Sequence, residues 1–337
     1  MTRIVVVGCG RWGPLHVRTF NSLPGARVVA AVDTDRERLG RIRQLYPWTR
    51  CGTDLARTLG SVKADAAVIA TPSSTHFDLV RWSLGRGLHV LCEKPLCLRA
   101  AQALELGALA RRKRRILMTG HVFLFNPGIV KLKELVDSGE LGDIHYLSFT
   151  RTNLGPIRGD VNVAYDLASH DVSIANWLLG AEPLKASATG GVYLQEGIHD
   201  VFFATLTYPD RKLVHIQGSW LNPKKVRQLT VVGGKKMVSW DDLELNTPLA
   251  VYDRGAHVTP EYSSYGEFLR VSMWDADVRL PKVATVEPLK VQNEHFLQAV
   301  RAGRLGRCDA GFSAGVVRVL EAINESMAKE GAPVRPA

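Results

Sequence analysis

The sequence predicts an α/β protein in which a doubly wound parallel sheet is followed by a second α/β domain with a large, mostly antiparallel sheet. Short apolar runs alternate with single helices over residues 3–120, and a glycine-rich turn joins the first run to the first helix. Near residue 121 the texture changes to longer alternating strands joined by tight turns. The boundary is accordingly placed at 122/123, with one domain over 1–122 and the other over 123–337.

Residues 3–8 (Arg-Ile-Val-Val-Val-Gly) form a continuous apolar run closed by glycine, the pattern of a strand buried on both faces. A helix is expected over 14–23, a second buried strand over 27–33, a helix over 36–46, a strand over 66–71, a helix over 76–86 and a strand over 89–93. After Pro95 a helix runs to about residue 112, and 115–120 supplies one more strand. Strands separated by single helices give parallel pairing with right-handed crossovers. In the second half, 201–208 and 213–220 flank a turn at Pro209-Asp210, and 228–232 turns at Gly233-Gly234 into 236–240. Both are hairpin signals. A helix over 166–179 closes on Gly180, and two final helices are expected over 286–302 and 314–329.

At 46% hydrophobic and 23% charged residues, the 337-residue chain has ordinary globular composition, which excludes disordered and fibrous classes. No apolar run approaches the roughly 18 residues that span a bilayer. The start, MTRIVVVGCG, enters a strand without a targeting pattern. Five cysteines (Cys9, Cys51, Cys92, Cys97, Cys308) with no CxxC argue against a disulfide framework or a zinc knuckle. A cytoplasmic protein with no metal is expected, since the histidines show no ligand spacing either. The net charge of +10 would suit an acidic partner, but Arg36, Arg38, Arg41 and Arg43 sit singly on a helical face. The densest run, Arg111, Arg112, Lys113, Arg114 and Arg115, falls at a helix end, where cations favour the negative pole of the dipole. Neither nucleic acid nor membrane is expected as a partner.

Gly8-Cys9-Gly10-Arg11-Trp12-Gly13 is a GxGxxG set between strand and helix. Small residues there let the backbone turn and approach a pyrophosphate at the amide-rich helix start. Asp33, 20 residues beyond Gly13 at a strand end, is placed to accept hydrogen bonds from an adenosine ribose. Its carboxylate favours NAD, while nearby Arg36 and Arg38 leave NADP possible. Thr71-Pro72-Ser73-Ser74-Thr75-His76 and Glu93-Lys94-Pro95 follow two further strands, at the sheet edge where such folds bind ligands. A lysine beside a nicotinamide can polarise a hydroxyl or ketone oxygen. Asp166 and His170, four residues apart, would share a helix face, with the imidazole able to take an alcohol proton.

Taken together, GxGxxG, TPxxxH, EKP and DxxxH ahead of a helix ending in Trp177-Leu178-Leu179-Gly180 resemble the glucose-fructose oxidoreductase and inositol dehydrogenase family over essentially the whole chain. That resemblance implies a Rossmann domain followed by an α/β domain whose open sheet often mediates oligomers, here a homodimer or tetramer. It assigns His170 as acid/base, Lys94 as the residue that orients and polarises the substrate oxygen, and Asp166 as their support. Gly8, Gly10, Arg11, Trp12, Gly13, Asp33, Thr71, Pro72, His76, Glu93 and Lys94 are the expected cofactor contacts. The segments Gly120-His121-Val122-Phe123-Leu124-Phe125-Asn126-Pro127 and Arg151-Thr152-Asn153-Leu154-Gly155-Pro156-Ile157-Arg158-Gly159-Asp160 look like the branch that oxidises nucleotide-linked amino sugars at C3. Asn153 and Arg158 are then candidate substrate contacts, beside Lys94, Asp166 and His170, because a guanidinium fork suits a diphosphate or carboxylate. Three other activities stay open: a reductase of a nucleotide-linked ketosugar, an inositol or free-sugar dehydrogenase, and a non-catalytic dinucleotide sensor.

Overall fold

The computed structural model describes residues 1–263 and 266–337. Two compact units divide the chain: Met1–Phe125 with Arg158–Ser173 and Val286–Glu321, and Asn126–Ile157 with Ile174–Thr285 and Ala322–Ala337. The sequence suggested one cut at 122/123, whereas each unit is assembled from three stretches.

The first unit opens with β1 (Thr2–Val7), α1 (Gly13–Ser22), β2 (Ala26–Val32), α2 (Arg36–Leu45), β3 (Arg50–Gly52) and α3 (Leu55–Gly60). It continues through β4 (Ala66–Ile69), α4 (His76–Gly85), β5 (His89–Glu93), α5 (Ala100–Lys113) and β6 (Leu117–Gly120). The six strands lie in the order β3-β2-β1-β4-β5-β6, and every pairing is parallel. The order reverses between β1 and β4, and at such a switch point the loops leave a crevice at the carboxyl ends of the strands. Val5, Val7, Ala30, Val32, Ala67, Ile69, Val90 and Cys92 are buried in one cluster with Val80, Leu84, Ala103 and Leu106 of the helices. This explains why the strands read as unbroken apolar runs.

The second unit takes α6 (Pro127–Asp137) and β7 (Ile144–Leu154). α7 (Ser169–Leu179) begins in the first unit and ends in the second. Then come β8 (Lys185–Gly191), β9 (Val201–Thr207), β10 (Leu213–Ser219), β11 (Leu221–Gly233), β12 (Met237–Asp241), β13 (Leu249–Ser263) and β14 (Gly266–Arg279). Their eight strands run β14-β13-β12-β11-β7-β10-β9-β8, antiparallel except for β7 with β10. α8 (Pro288–Ala302) belongs to the first unit, and α9 (Ala310–Ala328) starts there and finishes in the second.

Local contacts explain why late segments join the first unit. Phe296 of α8 packs edge-on against Phe20 of α1, with ring centres 6.3 Å apart. Ser313 Oγ donates to Thr119 Oγ1 at 2.7 Å, and the Ala100 N–H donates to Glu321 Oε2 at 3.1 Å. Among the described residues no helix is long and apolar enough to cross a membrane.

Candidate active site

All of the geometry below lies within the first unit. At the switch point the chain leaves β1 through Gly8, whose φ of +90° is a left-handed value suited to glycine. A Cβ on Gly8 would lie 2.5 Å from the Ala70 carbonyl oxygen, and one on Gly13 only 1.9 Å from the Gly8 carbonyl oxygen. Both positions therefore have to be bare for β1, β4 and α1 to approach. Gly10 differs: the nearest atom to a Cβ there is Arg38 Nη1 at 3.7 Å, so its bareness leaves open space beside the chain. Trp12 precedes α1 without a side-chain cap, and no acidic residue lies in the first turn. The helix start thus presents N–H groups and positive potential to an anion.

Asp33 is buried at the end of β2. It accepts from the Cys9 N–H at 2.6 Å and from the Asp35 N–H at 2.8 Å, so it shapes the glycine turn. Arg38 lies 3.8 Å from Asp33 and 3.2 Å from Asp35. Burial, followed by the Asp33 charge, pushes the Cys9 thiol up to about 12, so it remains protonated. Arg11 is exposed and Trp12 half-buried in the same turn. This open cradle, a dipole start and a carboxylate at the second strand fit a dinucleotide.

His76 and Glu93, expected among the cofactor contacts, each join segments of the chain. His76 is enclosed, with Nδ1 2.8 Å from the Pro95 carbonyl oxygen and Nε2 2.9 Å from that of Thr71. Two facing carbonyls favour a doubly protonated ring, but burial outweighs them and its pKa lies below the ordinary value. The residue braces the Thr71-Pro72 loop against the Lys94-Pro95 turn, while Thr71 is half-buried and Pro72 exposed. Glu93 Oε1 lies 2.8 Å from Nε2 of His16, a wholly buried residue on α1. His16 carries no motif, and its partner is 77 residues distant, so sequence reading passes over it.

Lys94 points its ammonium at the segment ahead of α7, donating to the Asp166 carbonyl at 2.7 Å and to Asp166 Oδ1 at 3.2 Å. Among the described residues these take two of its three N–H bonds, leaving one for a further acceptor. Asp166 lies in a π-turn over Ala164–Ala168 that runs into α7, where an α-helix starting at 166 was expected. Such wider turns occur often at functional sites. Tyr165 fastens the turn by donating from its hydroxyl to the Leu98 carbonyl at 2.9 Å. His170 follows in the first turn of α7, buried, with the Phe123 ring edge-on at 4.8 Å. His121 at the end of β6 is enclosed, and burial followed by the charge of Lys94 lowers its pKa to about 3. It therefore stays neutral beside the ammonium.

Arg158 is engaged rather than open: it forks onto Asp160, reaches Asp166 and touches Ser73. Asp160 was missed by sequence reading. Asn153 lies on β7, in the second unit.

Comparison with known proteins matches the two halves of the chain in order. Residues 2–121 match the description "oxidoreductase family, NAD-binding Rossmann fold", and 129–239 match the GFO/IDH/MocA C-terminal domain. Inositol 2-dehydrogenase 2 of Saccharopolyspora erythraea is 32% identical over 194 residues, so the chain spans only 56% of that relative's length. UDP-N-acetylglucosamine 3-dehydrogenase of Acidithiobacillus ferrooxidans is 27% identical over 310 residues, 91% of each chain. The solved structure of that dehydrogenase superposes with a TM-score of 0.80 at 25% identity, covering 97% of both chains. GenD2 from gentamicin A biosynthesis, solved in complex with NAD, shares the fold with a TM-score of 0.83 at 22% identity, covering 99% of this chain and 96% of the other. With both halves matched in order and the NAD-binding cradle in place, the chain belongs to the GFO/IDH/MocA family of oxidoreductases.

Proposed function

We propose that the protein is an NAD-dependent dehydrogenase that oxidises a nucleotide-linked amino sugar at its C3 hydroxyl. The observation that carries this reading is Lys94 held by two contacts to Asp166, on the turn that leads directly into His170. Bound NAD supplies the hydride acceptor. Lys94 offers its remaining N–H to the reacting oxygen and stabilises negative charge as it develops there. His170 takes the hydroxyl proton, and the edge of Phe123 limits the ring's motion. Asp166 fixes the ammonium. For ketone reduction the same groups return the proton.

The choice of substrate rests on reach in sequence: the UDP-N-acetylglucosamine 3-dehydrogenase named above is matched over 91% of each chain. A second reading, inositol dehydrogenation, draws on the higher identity to inositol 2-dehydrogenase 2 over about half the chain. A substrate panel separates them. UDP-N-acetylglucosamine with NAD is expected to yield NADH and a 3-keto sugar, while myo- and scyllo-inositol react at least tenfold more slowly. The reverse ranking would favour the polyol. In the same assay His170→Ala is expected to cut turnover by roughly 100-fold or more, the usual range for general acid–base groups, with NAD affinity nearly unchanged. Turnover near the wild-type value would remove His170 from the proton step.

A further inference from the structure

The resemblance casts Arg158 as a contact for an anionic substrate, but the structure gives its guanidinium work inside the protein. Nε and Nη2 form a fork on Asp160, at 2.9 Å to Oδ1 and 2.6 Å to Oδ2. Nη1 lies 3.3 Å from Asp166 Oδ1, and Nη2 also lies 3.3 Å from Ser73 Oγ. Asp160 Oδ2 in turn accepts the Ser73 N–H at 3.1 Å. One carboxylate oxygen of Asp166 is therefore shared by two cations, Lys94 from the end of β5 and Arg158 from the 158–163 segment. The same segment is fastened to the loop that carries Thr71 and Pro72. Burial opposes the charges of Asp160 and Arg158, yet their mutual pairing outweighs it: Asp160 is held below its ordinary range and Arg158 above.

We propose that Arg158 is a positioning residue, latched through Asp160 to Ser73, that fixes the Asp166 carboxylate and through it the ammonium of Lys94. The inference rests on the dehydrogenase reading above. A carboxylate held by one flexible lysine can turn about its terminal bond and carry the ammonium with it. A planar guanidinium on the same oxygen, itself clamped in a bidentate fork, removes that freedom. Displacements well under an ångström matter for hydride and proton geometry.

Arg158 also adds a fixed positive charge to a group that comprises Lys94, Asp166, Asp160, the buried His76, on which its charge acts directly, Glu93 with its partner His16, the neutral His121, and His170 further along the same helical segment. A fixed cation favours the deprotonated form of each titrating neighbour. Its removal moves the low-pH limb of kcat to higher pH, whichever of these groups governs that limb. An anion-binding arginine would leave a different trace, a KM effect confined to the charged substrate.

The test compares wild type, Arg158→Gln, Arg158→Lys and Asp160→Asn, using a nucleotide-linked amino sugar and neutral myo-inositol at saturating NAD. For whichever substrate is turned over, Arg158→Gln is expected to lower kcat roughly 30-fold or more while KM stays within about threefold. Its low-pH limb is expected to rise by about half a unit or more. Arg158→Lys should restore the limb and part of kcat, and Asp160→Asn should show a milder form of the same loss. NAD affinity by fluorescence titration, unchanged within about threefold, shows that the variants are folded. A tenfold rise in KM for the nucleotide sugar alone, with kcat intact, would overturn the proposal in favour of a substrate contact; no change in either constant would overturn it outright. If wild type oxidises neither compound, the dehydrogenase reading fails and the latch is judged by the pH dependence of amine modification at Lys94, followed by mass spectrometry. An upward shift of that midpoint in Arg158→Gln supports the latch, and an unmoved midpoint contradicts it.

Discussion

His121 is sealed in the first unit, with Nε2 3.4 Å from Ser313 Oγ and the Phe312 ring edge-on at 5.6 Å. With its native pKa lowered to about 3 and an unfolded value near 6.5, it binds fewer protons folded than unfolded. Its neutrality therefore costs no stability above pH 6.5 and an increasing amount as the pH falls toward 3. At about 1.4 kcal/mol per unit the penalty reaches about 2 kcal/mol by pH 5. His121→Gln is expected to flatten urea-unfolding stability between pH 6.5 and 4 relative to wild type; an unchanged slope would show that the ring is not held neutral. Lys94, Asp166 and His170 were legible because their spacing sits in motifs. The link of Asp160 to Ser73 and that of His16 to Glu93 were not, since they span 87 and 77 residues and only the tertiary fold brings them together.

At the scale of elements, the β1–α1 turn separates two uses of glycine. Gly13→Ala places a methyl into the Gly8 carbonyl and is expected to destabilise folding by about 2–3 kcal/mol, read by urea unfolding. Gly10→Ala meets nothing closer than 3.7 Å. It should fold with a cost under about 1 kcal/mol yet bind NAD at least tenfold more weakly, the outcome expected of a bare turn that a pyrophosphate packs against. Equal stability losses in the two variants would contradict the assignment. The apolar runs of β1, β2, β4 and β5 announced themselves through burial on both faces. β3 and α3 were missed, since three residues (Arg50–Gly52) carry no period and the six of α3 hardly more. α6 left a signal that went unused: Asn126 caps it by accepting from the Gly128 and Ile129 N–H groups, and Pro127 stands at its start. The π-turn over Ala164–Ala168 has no spacing signature, because DxxxH reads equally well as an ordinary helix.

For the whole molecule, the order of domains followed from the change of strand texture, whereas the discontinuous units did not. Residues 158–173 and 286–321 belong to the first unit through contacts such as Tyr165 with Leu98 and Phe296 with Phe20, which no local pattern encodes. That assembly delivers Asp166 to Lys94 and places the glycine turn, Lys94 and His170 in one unit. In the reading proposed above, these groups act on the C3 hydroxyl of a nucleotide-linked amino sugar. Its most direct test is single-turnover oxidation of that sugar carrying deuterium at C3, with NAD and either wild type or Lys94→Met. Wild type is expected to deposit the deuterium in the reduced cofactor, with a primary isotope effect on the transfer, and Lys94→Met to slow that transfer by roughly 100-fold or more. Reduced cofactor without deuterium would rule out hydride transfer from C3, and transfer by Lys94→Met at the wild-type rate would remove Lys94 from the reaction.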